Sequence, residues 1–373
     1  MSKRILLTST DLMMIQFMIP HIYNFVDHGW HVEIACSVVG DRIDEIREKL
    51  EGKAVIHTVR LHRSPANPEN LRGLQDMKRV IDDGEWDIIW TNEPVMGVVT
   101  RLAARKARKK GTKVVYMVHG FHFYKGAPAL NWLVFYPVER IMAHFADAIV
   151  TINKDDFERA KTFHTKEVKY IHGIGVNTDR LDHTNPDQNI RKELGIPNEA
   201  CLLLSIGELN KNKNHRVIID ALGILSDRDI YYAICGKGDM KNALSELAAE
   251  KGIQDRFFLL GYRMDIVDIC MQADVFVFPS IREGLPQSPL EAMYCGLPVI
   301  STNSGGIKDY VIDGVNGYLC EPTDARGFAD AIRTLKDDKE KRMEFGRQNQ
   351  ESVIPFCFAG VKNEVLELFE SFL

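Results

Sequence analysis

Along the chain, short apolar runs rich in β-branched residues alternate with longer stretches in which apolar positions recur every three or four residues. The runs 5–8, 32–36, 88–90, 114–118 and 148–152 read as buried strands, and 20–27, 43–50, 71–82 and 98–109 carry helical spacing. Strands separated by helices predict a parallel sheet with right-handed crossovers. The alternation then restarts, with strands at 202–206, 231–235, 257–260, 275–278 and 298–302 and helices at 217–225, 242–251, 264–271 and 289–295. Between the two series lies a polar stretch, 177–198, carrying Asp179, Asp182, Asn185, Pro186, Asp187 and Pro197, which is linker chemistry. The pattern therefore predicts an α/β protein of two doubly wound parallel-sheet domains, 1–180 and 181–354, with a last helix in 355–373 returning to the first. Such sheets bind ligands at the carboxyl ends of their strands, and a central cleft faced by both domains is the expected site.

Composition narrows the function classes. A length of 373 residues exceeds one ordinary core, in keeping with two domains. The net charge of −5 supplies no basic field, so nucleic acid is not an expected partner. The seven cysteines are scattered, without C-x-x-C or metal-ligand spacing, and read as buried thiols of a reducing cytosol. The opening Lys3-Arg4 and the apolar residues after it resemble a signal peptide only briefly, because Ser9, Thr10 and Asp11 break the run. No apolar stretch reaches the roughly 18 residues of a spanning helix. A cytoplasmic location is expected.

The most informative stretch runs from Ala273 to Glu291, A-D-V-F-V-F-P-S-I-R-E-G-L-P-Q-S-P-L-E. A strand ends at Pro279, a loop carries Glu283, and a helix begins near Pro289. The two glutamates thus flank the amino end of a helix at a strand's carboxyl edge, where free N–H groups and the helix dipole favour an anion. Carboxylates there can hold sugar or ribose hydroxyls while the N–H groups of Gly284, Leu285, Gln287 and Ser288 face phosphate oxygens. The same letters also spell a capping box, Ser288 to Glu291 with Pro289 at the first helical position, which makes Glu291 structural. Spacing alone leaves both readings open. Glu283 has no capping role, and its plain alternative is a solvated loop acid.

This segment resembles the E-x7-E signature of retaining glycosyltransferases with the GT-B fold, the large family 4 whose members build bacterial polysaccharides and glycolipids. Ser205-Ile-Gly-Glu-Leu-Asn-Lys-Asn-Lys-Asn-His215 looks like the first strand-loop-helix of that family's donor domain. Gly305-Gly306 and Asp313-Gly-Val-Asn-Gly317 look like its glycine turn and following hairpin. His119-Gly-Phe-His-Phe resembles the loop facing the donor sugar, and the segment 173–179 its inter-domain passage. The resemblance covers nearly the whole chain and implies two Rossmann-like domains, acceptor handled by the first and nucleotide-sugar donor, a UDP-sugar by family tendency, by the second. Glu283 would meet hydroxyls of the donor sugar, Glu291 the ribose, and Lys213 the diphosphate. Gly207 would lie in the donor loop, Tyr262 and Arg263 beside the nucleobase, and His119 across the sugar from the diphosphate. Ser9 and Thr10 would approach phosphates and acceptor. A front-face route, without a nucleophile and without a metal, is implied, as is a saccharide or lipid-linked acceptor of capsule, exopolysaccharide or glycolipid synthesis.

Two positions depart from the family. Glu208 stands where many relatives carry a second diphosphate cation, a task a carboxylate cannot do; Lys211 is the candidate substitute. The loop 9–12 lacks the usual glycine, and close backbone approach to phosphate is harder without it. Asp227-Arg-Asp229 has the spelling of a metal triplet but reads as a solvated turn, and Gly236-Lys-Gly238 lacks the third glycine of a dinucleotide fingerprint. His62, His164 and His172 read as surface or packing residues. The basic stretch from Arg101 to Lys113 reads either as a solvated helix face or as a patch drawn to anionic lipid at the inner membrane face. In the second case Phe121-His-Phe-Tyr124 and the aromatics of 132–136 form a membrane-facing edge. The rival functions are a UDP-sugar epimerase of the same architecture, which turns over donor without acceptor, and a non-catalytic nucleotide-sugar sensor.

Overall fold

Strand β1 (Arg4–Asp11) is buried from Ile5 onward, as a strand covered on both faces must be. It lies between β2 (His31–Ser37) and β4 (Ile88–Asn92), both parallel to it. The sheet continues through β3 (Val55–Thr58) on one side and through β5 (Lys113–Val118), β6 (Ala148–Thr151) and β7 (Glu167–Tyr170) on the other. The order is β3-β2-β1-β4-β5-β6-β7, so the winding reverses between β1 and β4, and their carboxyl ends open the crevice where ligands of such sheets bind. The computed structural model describes residues 2–40, 43–185 and 188–373, and Pro186 and Asp187 of the polar stretch lie outside these.

The second sheet holds β8 (Cys201–Ile206), β9 (Ile230–Cys235), β10 (Phe257–Gly261), β11 (Val275–Phe278), β12 (Val299–Thr302) and β13 (Gly317–Cys320). Its order, β10-β9-β8-β11-β12-β13, puts the reversal between β8 and β11. The expected hairpin around Asp313 and Gly317 is instead a turn that feeds β13 into the sheet parallel to β12. Gly317 is required there, because a Cβ would stand 2.4 Å from the Val299 carbonyl oxygen. Helix 98–109 is really two, Pro94–Ala103 and Arg105–Lys109, and 264–271 shrinks to Ile266–Cys270, with Asp265 before it held by Arg263.

The chain divides into one unit of Met1–Gly175 with Ala359–Leu373 and a second of Val176–Phe358, where the sequence reading placed the seams at 180/181 and 354/355. Helix Phe358–Glu370 joins the first unit through Phe369, whose ring lies 4.8 Å from that of Trp90 and 5.5 Å from that of Phe25. Glu364 adds a bond to His172 at 3.1 Å.

Candidate active site

In the second unit the site begins at the loop 207–215 after β8. Gly207 donates its N–H to the Cys235 carbonyl at 3.0 Å. Gly236 and Gly238 give this loop room, since Cβ atoms there would stand 1.8 Å from the Gly207 oxygen and 2.3 Å from the Leu209 oxygen. That close approach is the work of the G-x-G. Further along, Lys213 N–H bonds to Asn210 Oδ1 (2.9 Å), and Asn214, in the left-handed region at φ 53°, donates to the carbonyls of Pro279 (3.1 Å) and Pro322 (2.8 Å). Asn212 donates to the Arg282 carbonyl at 3.0 Å and accepts from Ile281 N–H at 2.8 Å. His215, buried behind the loop, meets the Glu208 carbonyl (3.2 Å) and the Tyr232 hydroxyl (3.1 Å). Burial lowers its pKa to about 4.

These bonds fix Lys213 so that its ammonium lies 2.7 Å from Glu283 Oε1 and 4.7 Å from the centre of the Phe278 ring. Both side chains keep some exposure, leaving the pair reachable. The Glu283 carbonyl oxygen is the reason for Gly305, at φ 55°, where a Cβ would come within 1.9 Å of it; Gly306 N–H also bonds to the Gly284 carbonyl at 2.9 Å. Glu208 accepts from Asn210 Nδ2 (2.8 Å) and is not bonded to Lys213, and Lys211 is exposed.

Helix Gln287–Tyr294 follows Gly284 and Leu285, and the N–H groups of Gln287 and Ser288 belong to its first turn, ahead of its own hydrogen-bond ladder. The capping box does not form. Pro286, whose ring has no hydrogen-bonding group, occupies the cap position, and Ser288, already inside the helix, donates its Oγ to the Ile206 carbonyl at 3.0 Å and so ties the helix to β8. Glu291 is buried and ion-paired with Arg180. Tyr262 is exposed past β10, and Arg263 is bound by Asp265 (2.6 Å) and Glu193 (2.9 Å); neither meets the Lys213–Glu283 pair. Among the described residues no three His, Cys, Asp or Glu side chains converge as a metal site requires. Asp227 accepts the Asp229 N–H at 2.9 Å and is paired with Lys336.

In the first unit, the carboxyl ends of β1, β4 and β5 enclose a small cavity of about 40 Å³ lined by Ser9, Phe17, Asn92, Glu93, His119 and Ile174 among others. Asn92 donates to the Thr8 carbonyl at 3.2 Å, leaving its Oδ1 to accept from His119 Nε2 at 2.9 Å. This bonding assigns the proton to Nε2 and the lone pair to Nδ1. Burial lowers the His119 pKa to about 4, so the ring is neutral at pH 7, although part of it stays open to solvent. Ser9 Oγ and Thr10 N–H, expected to approach phosphate, both donate to Glu93 Oε2, at 2.6 and 2.7 Å.

Residues 186–352 match the family model for glycosyl transferases group 1, and residues 22–170 match the glycosyl transferase 4-like domain. EpsD of Bacillus subtilis (strain 168), itself described only provisionally as a glycosyltransferase, is 35% identical over 100% of this chain and 98% of its own length. The chain belongs to the group 1 glycosyltransferases. A further relative is the UDP-Gal:alpha-D-GlcNAc-diphosphoundecaprenol alpha-1,3-galactosyltransferase of Escherichia coli, 29% identical over 76% of each chain. HepE of Anabaena, solved in complex with UDP, superposes with a TM-score of 0.79 at 21% identity over the full length of both chains, which fixes the fold as GT-B.

Glu93 is the residue of this glycosyltransferase that sequence reasoning missed. It sits at φ 64°, ψ 156°, a conformation nearly reserved for glycine, and it holds both β1 donors. Nothing in the letters Thr91-Asn-Glu-Pro94 reveals that strain. Glu93→Gly and Glu93→Ala both delete the carboxylate, but only glycine relieves the backbone. The glycine variant is therefore expected to be the more stable of the two by about 1–3 kcal/mol in urea unfolding, against the usual preference for alanine. An alanine variant equal or superior in stability contradicts the strain.

Proposed function

We propose that this glycosyltransferase is a retaining, metal-independent enzyme that moves a sugar from a UDP-sugar to a saccharide or lipid-linked acceptor in polysaccharide or glycolipid synthesis. The observation that carries the reading is the fixed Lys213–Glu283 pair at the carboxyl edge of the second sheet, beside the amino end of helix Gln287–Tyr294. As the bond from the anomeric carbon to the phosphate oxygen breaks, the diphosphate gains negative charge. Lys213 and the first-turn N–H groups of Gln287 and Ser288 stabilise that charge most in the transition state. The donor's diphosphate competes with Glu283 for the ammonium, which turns Glu283 toward sugar hydroxyls. Because Glu283 faces a cation, it suits positioning and electrostatics better than covalent attack. In the front-face route the leaving phosphate oxygen takes the acceptor hydroxyl's proton, and the acceptor oxygen bonds to the anomeric carbon on the face just vacated. Arg180 orients Glu291, leaving its other carboxylate oxygen for ribose, while Tyr262 and Arg263 flank the base. Acceptor handling falls to the first unit, with neutral His119 at its cavity. The Escherichia coli relative, named for a UDP-sugar and a lipid-diphosphate acceptor, and HepE, solved with UDP, support the choice of substrates.

Thermal unfolding with UDP, GDP, ADP and their sugars tests the donor. A ligand at 100 times its Kd adds about 2.7 kcal/mol of stability, a clear shift of the midpoint. UDP and one UDP-sugar are expected to stabilise. A response to GDP alone would reassign the base, and no response to any nucleotide would defeat the donor site.

A further inference from the structure

Helix Ala129–Met142 is inside out for a helix at a protein surface. Its inner face carries Glu139, buried and bonded to Arg101 at 2.8 Å and to the Tyr116 hydroxyl at 3.0 Å. The aromatics Trp132, Phe135 and Tyr136 also pack inward, against a cluster with Phe121, Phe123 and Phe163. The aromatic edge expected to face a membrane is therefore core, and Arg101, expected in a surface patch, is fully buried. What remains outside is aliphatic: Leu130, Leu133, Val134, Val138 and Ile141 are 68%, 74%, 46%, 40% and 60% exposed. At 100° per residue these five and Pro137 fill an arc of about 140° that contains no charged side chain.

A stripe of this kind is abnormal on a surface that stays in water, and its surroundings decide what covers it. Arg140 borders the arc, and at the helix's end the Arg105 guanidinium lies 5.1 Å over the Phe145 ring. Arg105 opens helix Arg105–Lys109, which with Lys110 presents further exposed cations. An aliphatic stripe bordered by arginine and lysine matches the boundary of an anionic lipid layer, where acyl chains take the leucines and headgroups the cations. Among the described residues no helix is long and apolar enough to cross a membrane, so the contact is one of lying on the surface.

We propose that the outward face of helix Ala129–Met142 is a lipid-docking surface that seats the first unit on an anionic membrane. The proposal extends the lipid-linked acceptor reading but rests on this helix and the cations beside it.

The test is co-sedimentation with phosphatidylglycerol/phosphatidylcholine vesicles and with phosphatidylcholine vesicles. The proteins are the wild type, Leu133→Glu/Ile141→Glu and Arg105→Glu/Lys109→Glu. All four positions are exposed, so the variants should melt as the parent does. Wild type is expected to bind the anionic vesicles at least tenfold better than the neutral ones. Each double variant should lose at least tenfold of that binding. Wild type that stays in the supernatant, or a Leu133→Glu/Ile141→Glu variant that sediments like wild type, overturns the assignment. So does a wild-type dimer that this variant converts to monomer, since the face is then covered by a second copy. The UDP-induced melting shift, followed in the same proteins, separates the outcomes: its absence defeats the donor reading and leaves the vesicle result standing.

Discussion

Lys213→Ala is expected to release UDP from its sugar nucleotide about 10²- to 10³-fold more slowly at saturating donor and acceptor. That is the usual loss when one preorganised charge is taken from a developing anion. On the role proposed for Lys213 the loss should appear in kcat, because the ammonium would interact more strongly with a departing diphosphate than with the intact donor. Five bonds from Asn210, Asn212 and Asn214 hold the loop, and none uses the Lys213 side chain, so the backbone keeps its shape without it. The deletion does leave Glu283 without its cation. Lys213→Arg restores charge but not the compact ammonium geometry, and a partial recovery is expected. Steady-state kinetics decide the matter. A variant with unchanged kcat and a raised KM would show that Lys213 only binds the donor, with no part in the bond-breaking step.

Acidification from pH 7.5 to pH 5 should cost the fold about 4 kcal/mol through two histidines alone. His21, bonded to the Ile174 carbonyl at 2.8 Å, and His215 are both buried, and burial lowers each pKa to about 4. In the unfolded chain they titrate near 6.5. Between about pH 6.5 and 4 the unfolded chain therefore holds protons that the folded protein refuses. The stability is fully present above that window and is lost as pH falls through it, at about 2 kcal/mol per histidine by pH 5. His119 shifts the same way but is partly open to water, so it adds less. Urea unfolding at the two pH values measures the difference. Equal midpoints would mean that neither ring is kept neutral by the fold.

The alternation of strand and helix was legible because the central strands are covered on both faces and spell unbroken apolar runs. The four-residue edge strands β3 and β7 escaped, since they are short and half of each faces solvent, with only two apolar residues in a row in β3 and an alternation of polarity in β7. Glu283 was singled out on a strand-to-helix loop and Lys213 through the family resemblance, yet their contact spans 70 positions and no local pattern encodes it. Glu291 was singled out as well, but its partner Arg180, 111 positions away, was not, and no local pattern encodes that pair either. Helix Ala129–Met142 misled for another reason. Aromatic and basic letters suggest an exposed, lipid-seeking face, but here the rings and Arg101 point inward, because the Arg101–Glu139 pair satisfies two charges inside the core. The letters drew attention to the aromatics of 132–136, but neither the helix that carries them nor the side it turns outward was read from the sequence.

The placement of Phe369 against Trp90 and Phe25 has a consequence for synthesis on the ribosome. The first unit lacks part of its core until helix Phe358–Glu370 has been made, after the whole of Val176–Phe358. At about 5–20 residues per second the interval is on the order of 10–40 s. During that time the Trp90 and Phe25 rings lack their partner, while the second unit, continuous in the chain, can close first. The emerging polypeptide thus carries an unfinished apolar surface for about half of its translation, a stage at which chaperone binding would protect it.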